Sequence, residues 1–180
     1  SMRIISGNHK GKRIVTPQNL AVRPTTDLAK ESIFNILNNF FHFDTIHAMD
    51  LFAGTGNITY EFAARGALSV ISVDNNQQCI NFIRKTIEKL NFDNVHVIKA
   101  DVLTFLKSCK QKFNIIFADP PYDSDFFPIL PELIFNNNLL LEDGFLIIEH
   151  SSFISYKEHP KFYQLRKYGK VHFSIFAENL

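Results

Sequence analysis

The run Asp119-Pro120-Pro121-Tyr122 is the stretch of this chain whose residue types and order could carry out a reaction. It closes the apolar segment Phe-Asn-Ile-Ile-Phe-Ala, which reads as a strand. Two consecutive prolines exclude helix and stiffen the exit from that strand, so the carboxylate before them and the ring after them are held in place. An exocyclic amine conjugated with a base is a poor nucleophile with two N–H donors. The Asp119 carboxylate and the Pro120 carbonyl can accept both hydrogens, favouring a tetrahedral nitrogen whose lone pair is aimed at a sulfonium methyl group. Tyr122 offers a stacking face for a flipped-out base. The gain is positioning and electrostatic preorganisation. No strong base is needed early, because the nitrogen becomes acidic only as it gains the methyl group. Taken as a bare tetrapeptide the run is a tight strand exit with a half-buried tyrosine; its place downstream of a nucleoside-type motif turns the reading towards chemistry.

That motif is Asp50-Leu51-Phe52-Ala53-Gly54-Thr55-Gly56, at the end of another apolar run. Gly54 and Gly56 allow a sharp turn and close approach of backbone to a ligand at a helix N-terminus. A dinucleotide fingerprint would place a third glycine where Thr59 stands, so the pattern points to a nucleoside without a pyrophosphate. Asp74, twenty residues after Gly54, ends the next strand and can accept from ribose hydroxyls. Asp101 ends the one after, placed for an adenine amino group or, more blandly, as the cap of the helix starting Val-Leu-Thr-Phe-Leu. Asp50, Gly54, Gly56, Asp74 and Asp101 form the expected cofactor set. Each alone is weak; their order along successive strand ends carries the argument, since open α/β sheets bind ligands there.

The elements that must position these groups follow from periodicity. Residues 3–7 and 12–15 read as a hairpin about Asn8-His9-Lys10-Gly11, and a Pro-containing extended stretch follows. Thr26 or Asp27 caps a helix with Ile33, Phe34, Ile36, Leu37 and Phe40 at helical spacing. Strands at 46–52, 68–73, 95–100, 114–118 and 145–149 then alternate with helices ending near Gly66 and spanning 77–90, 102–110 and 125–136. Residues 162–168 and 171–177 surround Gly169-Lys170 as a terminal hairpin. The expected fold is α/β: a seven-stranded, mostly parallel Rossmann-like sheet with helices on both faces, plus an N-terminal β-hairpin and helix extension.

The 180 residues, 46% hydrophobic and 21% charged, suit one globular domain with a sizeable core. No apolar run approaches the roughly 18–20 residues of a membrane span. No basic-apolar leader opens the chain, Ser1 reads as an expression scar, and the cytoplasm is the expected address. Cys79 and Cys109 lack CxxC spacing, and the seven histidines show no ligand pattern, so neither disulfide nor metal is expected. Glu149-His150, ending the fifth strand, reads as a polar rim. Residues 1–30 hold six of the 19 Lys and Arg against one of the 18 Asp and Glu, leaving 13 basic against 17 acidic residues in the rest. A basic head on an acidic body fits a polyanion, or a solvated hairpin with no partner. On the first reading Arg3, Lys10, Lys12, Arg13 and Arg23 contact phosphates, with Arg23 nearest the target nucleotide.

Taken together, Arg-Ile-Ile-Ser-Gly-Asn-His-Lys-Gly-Lys-Arg-Ile, Val-Arg-Pro-Thr-Thr-Asp with its helix ending Phe-Asn-Ile-Leu, Asp-Leu-Phe-Ala-Gly-Thr-Gly and Asp-Pro-Pro-Tyr resemble a known family over essentially the whole chain. The resemblance is to the bacterial small-subunit (16S) rRNA guanine-N2 methyltransferases of RsmD type, which are class I S-adenosylmethionine-dependent enzymes. It implies S-adenosylmethionine as cofactor, Asp119, Pro120 and Tyr122 as catalytic residues, and a guanine N2 of 16S rRNA as substrate, within a partly assembled small subunit. Residues 2–42 would be an RNA-contacting extension in one compact unit with a methyltransferase domain of 43–180. Leu28 and Lys30 stand where the family usually has arginines, and Asp74 where it has glutamate. The competing readings are amino-methylation of a protein glutamine or a DNA adenine, and a non-catalytic RNA-binding assembly factor. Asp119 in place of asparagine disfavours glutamine; the short chain disfavours the added recognition domains of DNA enzymes.

Overall fold

A computed structural model of the chain describes residues 2–20 and 25–179. Two short strands, β1 (Met2–Arg3) and β2 (Arg13–Ile14), pair antiparallel and precede helix α1 (Asp27–Leu37). The alternating body then runs β3 (His47–Leu51), α2 (Asn57–Ala64), β4 (Ser69–Asp74), α3 (Gln77–Lys89), β5 (Val95–Lys99), α4 (Val102–Ser108), β6 (Phe113–Ala118), α5 (Phe126–Asn136) and β7 (Leu140–His150). It closes with β8 (Phe162–Tyr168) and β9 (Val171–Ala177). The seven body strands form one sheet in the order β5-β4-β3-β6-β7-β9-β8, parallel except where β9 meets β7 and β8. This is the α/β sheet expected from the sequence. Its order turns about β3, whose neighbours β4 and β6 lead off in opposite directions, and such a switch point opens a crevice at the carboxyl edge.

The middle strands are apolar on both faces because both are covered. Along β6, Ile115 and Phe117 pack with Ile33, Phe34 and Phe62 from α1 and α2, while Ile116 and Ala118 pack with Leu106, Leu130 and Ile134 from α4 and α5. Pro131 within α5 has no N–H to offer the carbonyl of Phe127. The Tyr156 hydroxyl donates to that oxygen instead, at 2.6 Å, which keeps the helix intact where Phe126 and Phe127 approach the crevice.

Two boundaries differ from the sequence reading. The first hairpin has only two paired residues per strand rather than runs over 3–7 and 12–15, because Ile5 and Ser6 spend their N–H groups on the Glu61 carboxylate, at 2.8 and 3.0 Å. Strand β7 begins at Leu140 rather than 145, continuing through Gly144 beside β6.

Glu61, fully buried, also receives Arg65 Nε at 2.8 Å and faces Lys30 Nζ at 3.4 Å. Lys30, 1% exposed, donates to the Arg3 carbonyl at 2.6 Å and to Asn57 Oδ1 at 2.8 Å. This cation, counted with the basic head in the sequence, is therefore an internal cross-brace. The hairpin lies along α2. Met2 Sδ touches Thr55 Oγ1 near the helix start, and Asn8 N–H donates to the Ala64 carbonyl at its end. His9 Nε2 meets the Leu90 carbonyl beyond the end of α3. The turn carrying Lys10 thus sits at the amino edge of the sheet, opposite the crevice.

Candidate active site

The loops after β3, β4, β5, β6 and β7 leave the carboxyl edge of the sheet and enclose a cleft of about 940 Å³. After β3 the backbone enters the left-handed region at Phe52 (φ 57°) and Gly54 (φ 59°), which turns the chain abruptly into α2. A phenylalanine held there is strained, and its ring rests 4.9 Å from that of Phe126, at the cleft wall. The turn is latched by Asp74. Its Oδ2 accepts the Gly54 N–H and its Oδ1 the Asn76 N–H, both at 2.8 Å. Each carboxylate oxygen keeps a second lone pair for a ligand hydroxyl. Asp101 lines the cleft and also caps α4, accepting from Thr104 N and Oγ1 at 3.0 Å. Those hydrogen bonds, backbone first, hold its carboxyl below the usual range. The ligand and cap readings of Asp101 are thus compatible.

Gly56 departs from the expected set: it is not among the residues lining the cleft. Its φ of 91° starts α2, and a Cβ there would lie 2.5 Å from the Tyr60 ring, so the glycine serves helix entry and packing. Asp50 lies at the cleft floor, 2% exposed, with Oδ2 accepting from Thr59 Oγ1 at 2.7 Å. Thr59 also stands 2.9 Å from Ser72 Oγ. Burial pushes the Asp50 carboxyl up to about 7, opposed by the Thr59 bonds.

Asp119 ends β6 in the same cleft, with Pro120, Pro121 and Tyr122 after it on the lining and the Tyr122 ring 70% exposed. Burial, then the nearby Glu149 and Asp50, raise the Asp119 carboxyl well above its ordinary value. Glu149, read from the sequence as polar rim, is a wall of this cleft. Thr25 Oγ1 donates to its Oε1 at 2.6 Å, and burial pushes its carboxyl up to about 7. The signal in the sequence was its place at a strand's carboxyl end, shared with Asp74 and Asp119. Thr25 is fixed in turn by Asn57 Nδ2, which donates to its carbonyl at 2.9 Å. His150, buried beside it, is held by the Ser151 carbonyl and Ser174 Oγ at 2.7 and 2.6 Å, and burial lowers its pKa.

The structure does not gather the expected phosphate contacts at this cleft. Arg3 pairs with Asp27 at 3.4 Å on the surface, Lys10, Lys12 and Arg13 are exposed along the N-terminal hairpin, and Arg23 lies outside the described residues. No group of three or more His, Cys, Asp or Glu suited to a metal ion occurs among the described residues.

Residues 2–177 match the model of the family described as conserved hypothetical protein 95. The chain belongs to this family. A relative of this chain is the ribosomal RNA small subunit methyltransferase D of Buchnera aphidicola subsp. Baizongia pistaciae. It is 31% identical over 180 residues, covering 98% of this chain and 91% of its own. The relationship bears out the family resemblance read from the sequence. The solved Escherichia coli protein yhhF superposes with a TM-score of 0.86 at 23% identity, over 99% of this chain and 98% of that one. An RNA methyltransferase from Salinibacter ruber, solved with S-adenosyl-L-homocysteine, has the same fold at TM-score 0.67 and 12% identity, over 87% and 94% of the two chains.

Proposed function

We propose that the chain transfers the methyl group of S-adenosylmethionine to the exocyclic N2 of a guanine in 16S ribosomal RNA, within a small-subunit assembly particle. One observation carries the chemistry: the half-buried Asp119 carboxylate, fixed by two prolines, shares a cleft with the Gly54 turn that Asp74 latches. The relatives' name, ribosomal RNA small subunit methyltransferase D, supports the substrate, and such a substrate fits a cytoplasmic address.

The residues present fit the cofactor. Asp74 retains acceptor capacity for ribose hydroxyls, Asp101 faces the same space, and the cleft is roomy enough for a nucleoside beside a base. S-adenosylmethionine supplies an electrophilic methyl on a cationic sulfur, and a cleft lined by Asp50, Asp74, Asp101, Asp119 and Glu149 favours that charge. Asp119 and the Pro120 carbonyl accept the two amine hydrogens, and Tyr122 stacks on the base. Asp119 must be ionised to accept them, so its raised pKa makes methyl transfer increase with pH until that carboxyl is fully ionised. Residues 2–42 serve as the extension and 43–180 as the catalytic body, with Lys10 and Lys12 offering phosphate contacts far from the reacting base and Arg3 and Arg13 offering them at the other end of the hairpin.

The deciding experiment is incubation with methyl-labelled S-adenosylmethionine and unmodified small-subunit particles, followed by nucleoside analysis. Labelled N2-methylguanosine is the expected product. Label on adenine or on protein would move the substrate elsewhere, and cofactor binding without transfer would make the chain an assembly factor.

A further inference from the structure

A second basic element stands at the mouth of the cleft. Strand β7 runs parallel to the body and ends there at His150, and β9 is antiparallel to it, so the β8–β9 turn lies at that same carboxyl edge. Tyr168 pairs with Val171 across Gly169 and Lys170, and both Lys170 and Val171 line the cleft. Gly169 has φ 63°, and a side chain there would meet nothing within 4 Å, so the turn stands clear of the body. Arg166, Lys167 and Lys170 are exposed, and none has a carboxylate within 4.0 Å among the described residues. No Asp or Glu occurs between Glu158 and Glu178.

Charge then argues for the occupant. Five carboxylates line the cleft, whereas Lys170 is its one Lys or Arg among the described residues. A nucleotide whose base enters must leave its phosphates at the mouth, where those carboxylates repel them; cations on the rim offset that repulsion. The N-terminal hairpin turn cannot do this, because it is displaced to the other edge by the length of α2, roughly 12 Å for eight residues. We propose that the β8–β9 hairpin is the phosphate clamp of this protein, holding the RNA backbone that flanks the target base through Lys170, with Arg166 and Lys167 on the adjoining phosphates. The clamp rests on the RNA substrate proposed above. It supplies affinity and register and leaves the choice of base to the cleft.

The test compares the wild-type protein with Arg166→Ala/Lys167→Ala/Lys170→Ala, with Lys170→Glu alone and with Arg166→Ala/Lys167→Ala. Each is assayed for binding to unmodified small-subunit particles between 50 and 200 mM KCl, for methyl transfer, and for calorimetric affinity for S-adenosylhomocysteine. The triple variant should lower the log–log salt slope by about 2–3, at about 0.7–0.9 per lost phosphate contact. Lys170→Glu should reduce kcat/KM for particles at least tenfold with cofactor affinity retained. If the triple variant fails to fold, the other two variants carry the same comparison with proportionately smaller slope changes. A folded triple variant with the wild-type slope and affinity overturns the clamp, and so does binding that turns out insensitive to salt. If the wild-type protein transfers no methyl to particles, the substrate reading fails first and the clamp falls with it, an outcome separable from a clamp failure because it appears before any variant is made.

Discussion

Asp119 is asked to do two things that compete. It must sit half-buried in an acidic cleft, which raises its pKa, and it must be ionised to accept the amine hydrogens. The cationic sulfur of the cofactor reconciles them by favouring the ionised form once bound. Asp119→Asn should therefore lower turnover by at least ~100-fold, the scale of a lost preorganised contact, while calorimetric affinity for S-adenosylhomocysteine stays at the wild-type value. Near wild-type turnover in that variant would make Asp-Pro-Pro-Tyr a structural exit only. Asp74 has the opposite signature, since it both latches Gly54 and faces the cofactor. Asp74→Ala should weaken cofactor binding by about 1.5–3 kcal/mol, read by the same calorimetry. Unchanged affinity would remove the ribose assignment.

At the scale of elements, the N-terminal hairpin is clamped to α2 by one buried carboxylate. Glu61 accepts from two hairpin N–H groups and is balanced by Lys30 and Arg65. Removing Lys30 leaves Glu61 to Arg65 and strips the Arg3 carbonyl and Asn57 Oδ1 of their donor, so Lys30→Ala should cost about 1–3 kcal/mol in urea unfolding. A loss under ~1 kcal/mol would mean that water reaches Glu61 and the brace is weak. The hairpin's outward cations are a separate matter. Lys10→Ala and Lys12→Ala together should flatten the salt dependence of particle binding while leaving kcat at saturating particles unchanged, because their turn lies at the amino edge. A fall in kcat would place RNA chemistry nearer the hairpin than the topology allows.

The molecule as a whole carries destabilised carboxylates in its cleft. Asp50 and Glu149 carboxyls are both pushed up to about 7, chiefly by burial. A group raised in this way binds more protons folded than unfolded, so its stabilising share is complete below about pH 4 and is lost as pH rises through about 7. His150, lowered by burial, works in the other direction, so a variant isolates the effect better than a pH scan of the wild type. Glu149→Gln keeps an oxygen for the Thr25 hydroxyl and removes the titration. It should raise Tm at pH 8 by several degrees over the wild type and by much less at pH 5, measured by scanning fluorimetry. An equal shift at both pH values would show that Glu149 is not a destabilised carboxylate.

The sequence by itself determined the alternation of strand and helix, the sheet class, the Gly54 turn with Asp74 and Asp101 at strand ends, and the Asp119 tetrapeptide. These are local: periodicity, turn chemistry and caps act between near neighbours in the chain. It also placed the family, through motifs spread along its length. Tertiary structure alone decided what depends on distant partners. Thr59, which marked only a missing glycine, is the hydrogen-bond partner of the buried Asp50, nine residues earlier in the chain. Glu149 turned from rim to wall because Thr25, 124 residues away, reaches it. Lys30 turned from a basic-head residue to a buried brace because Glu61 and Asn57 fill one side of α1. The hairpin's position at the amino edge, and with it the basic turn of β8 and β9 at the cleft mouth, follows from how helices and antiparallel strands run against the sheet. Net charge counts residues; only packing says which end of the molecule carries them.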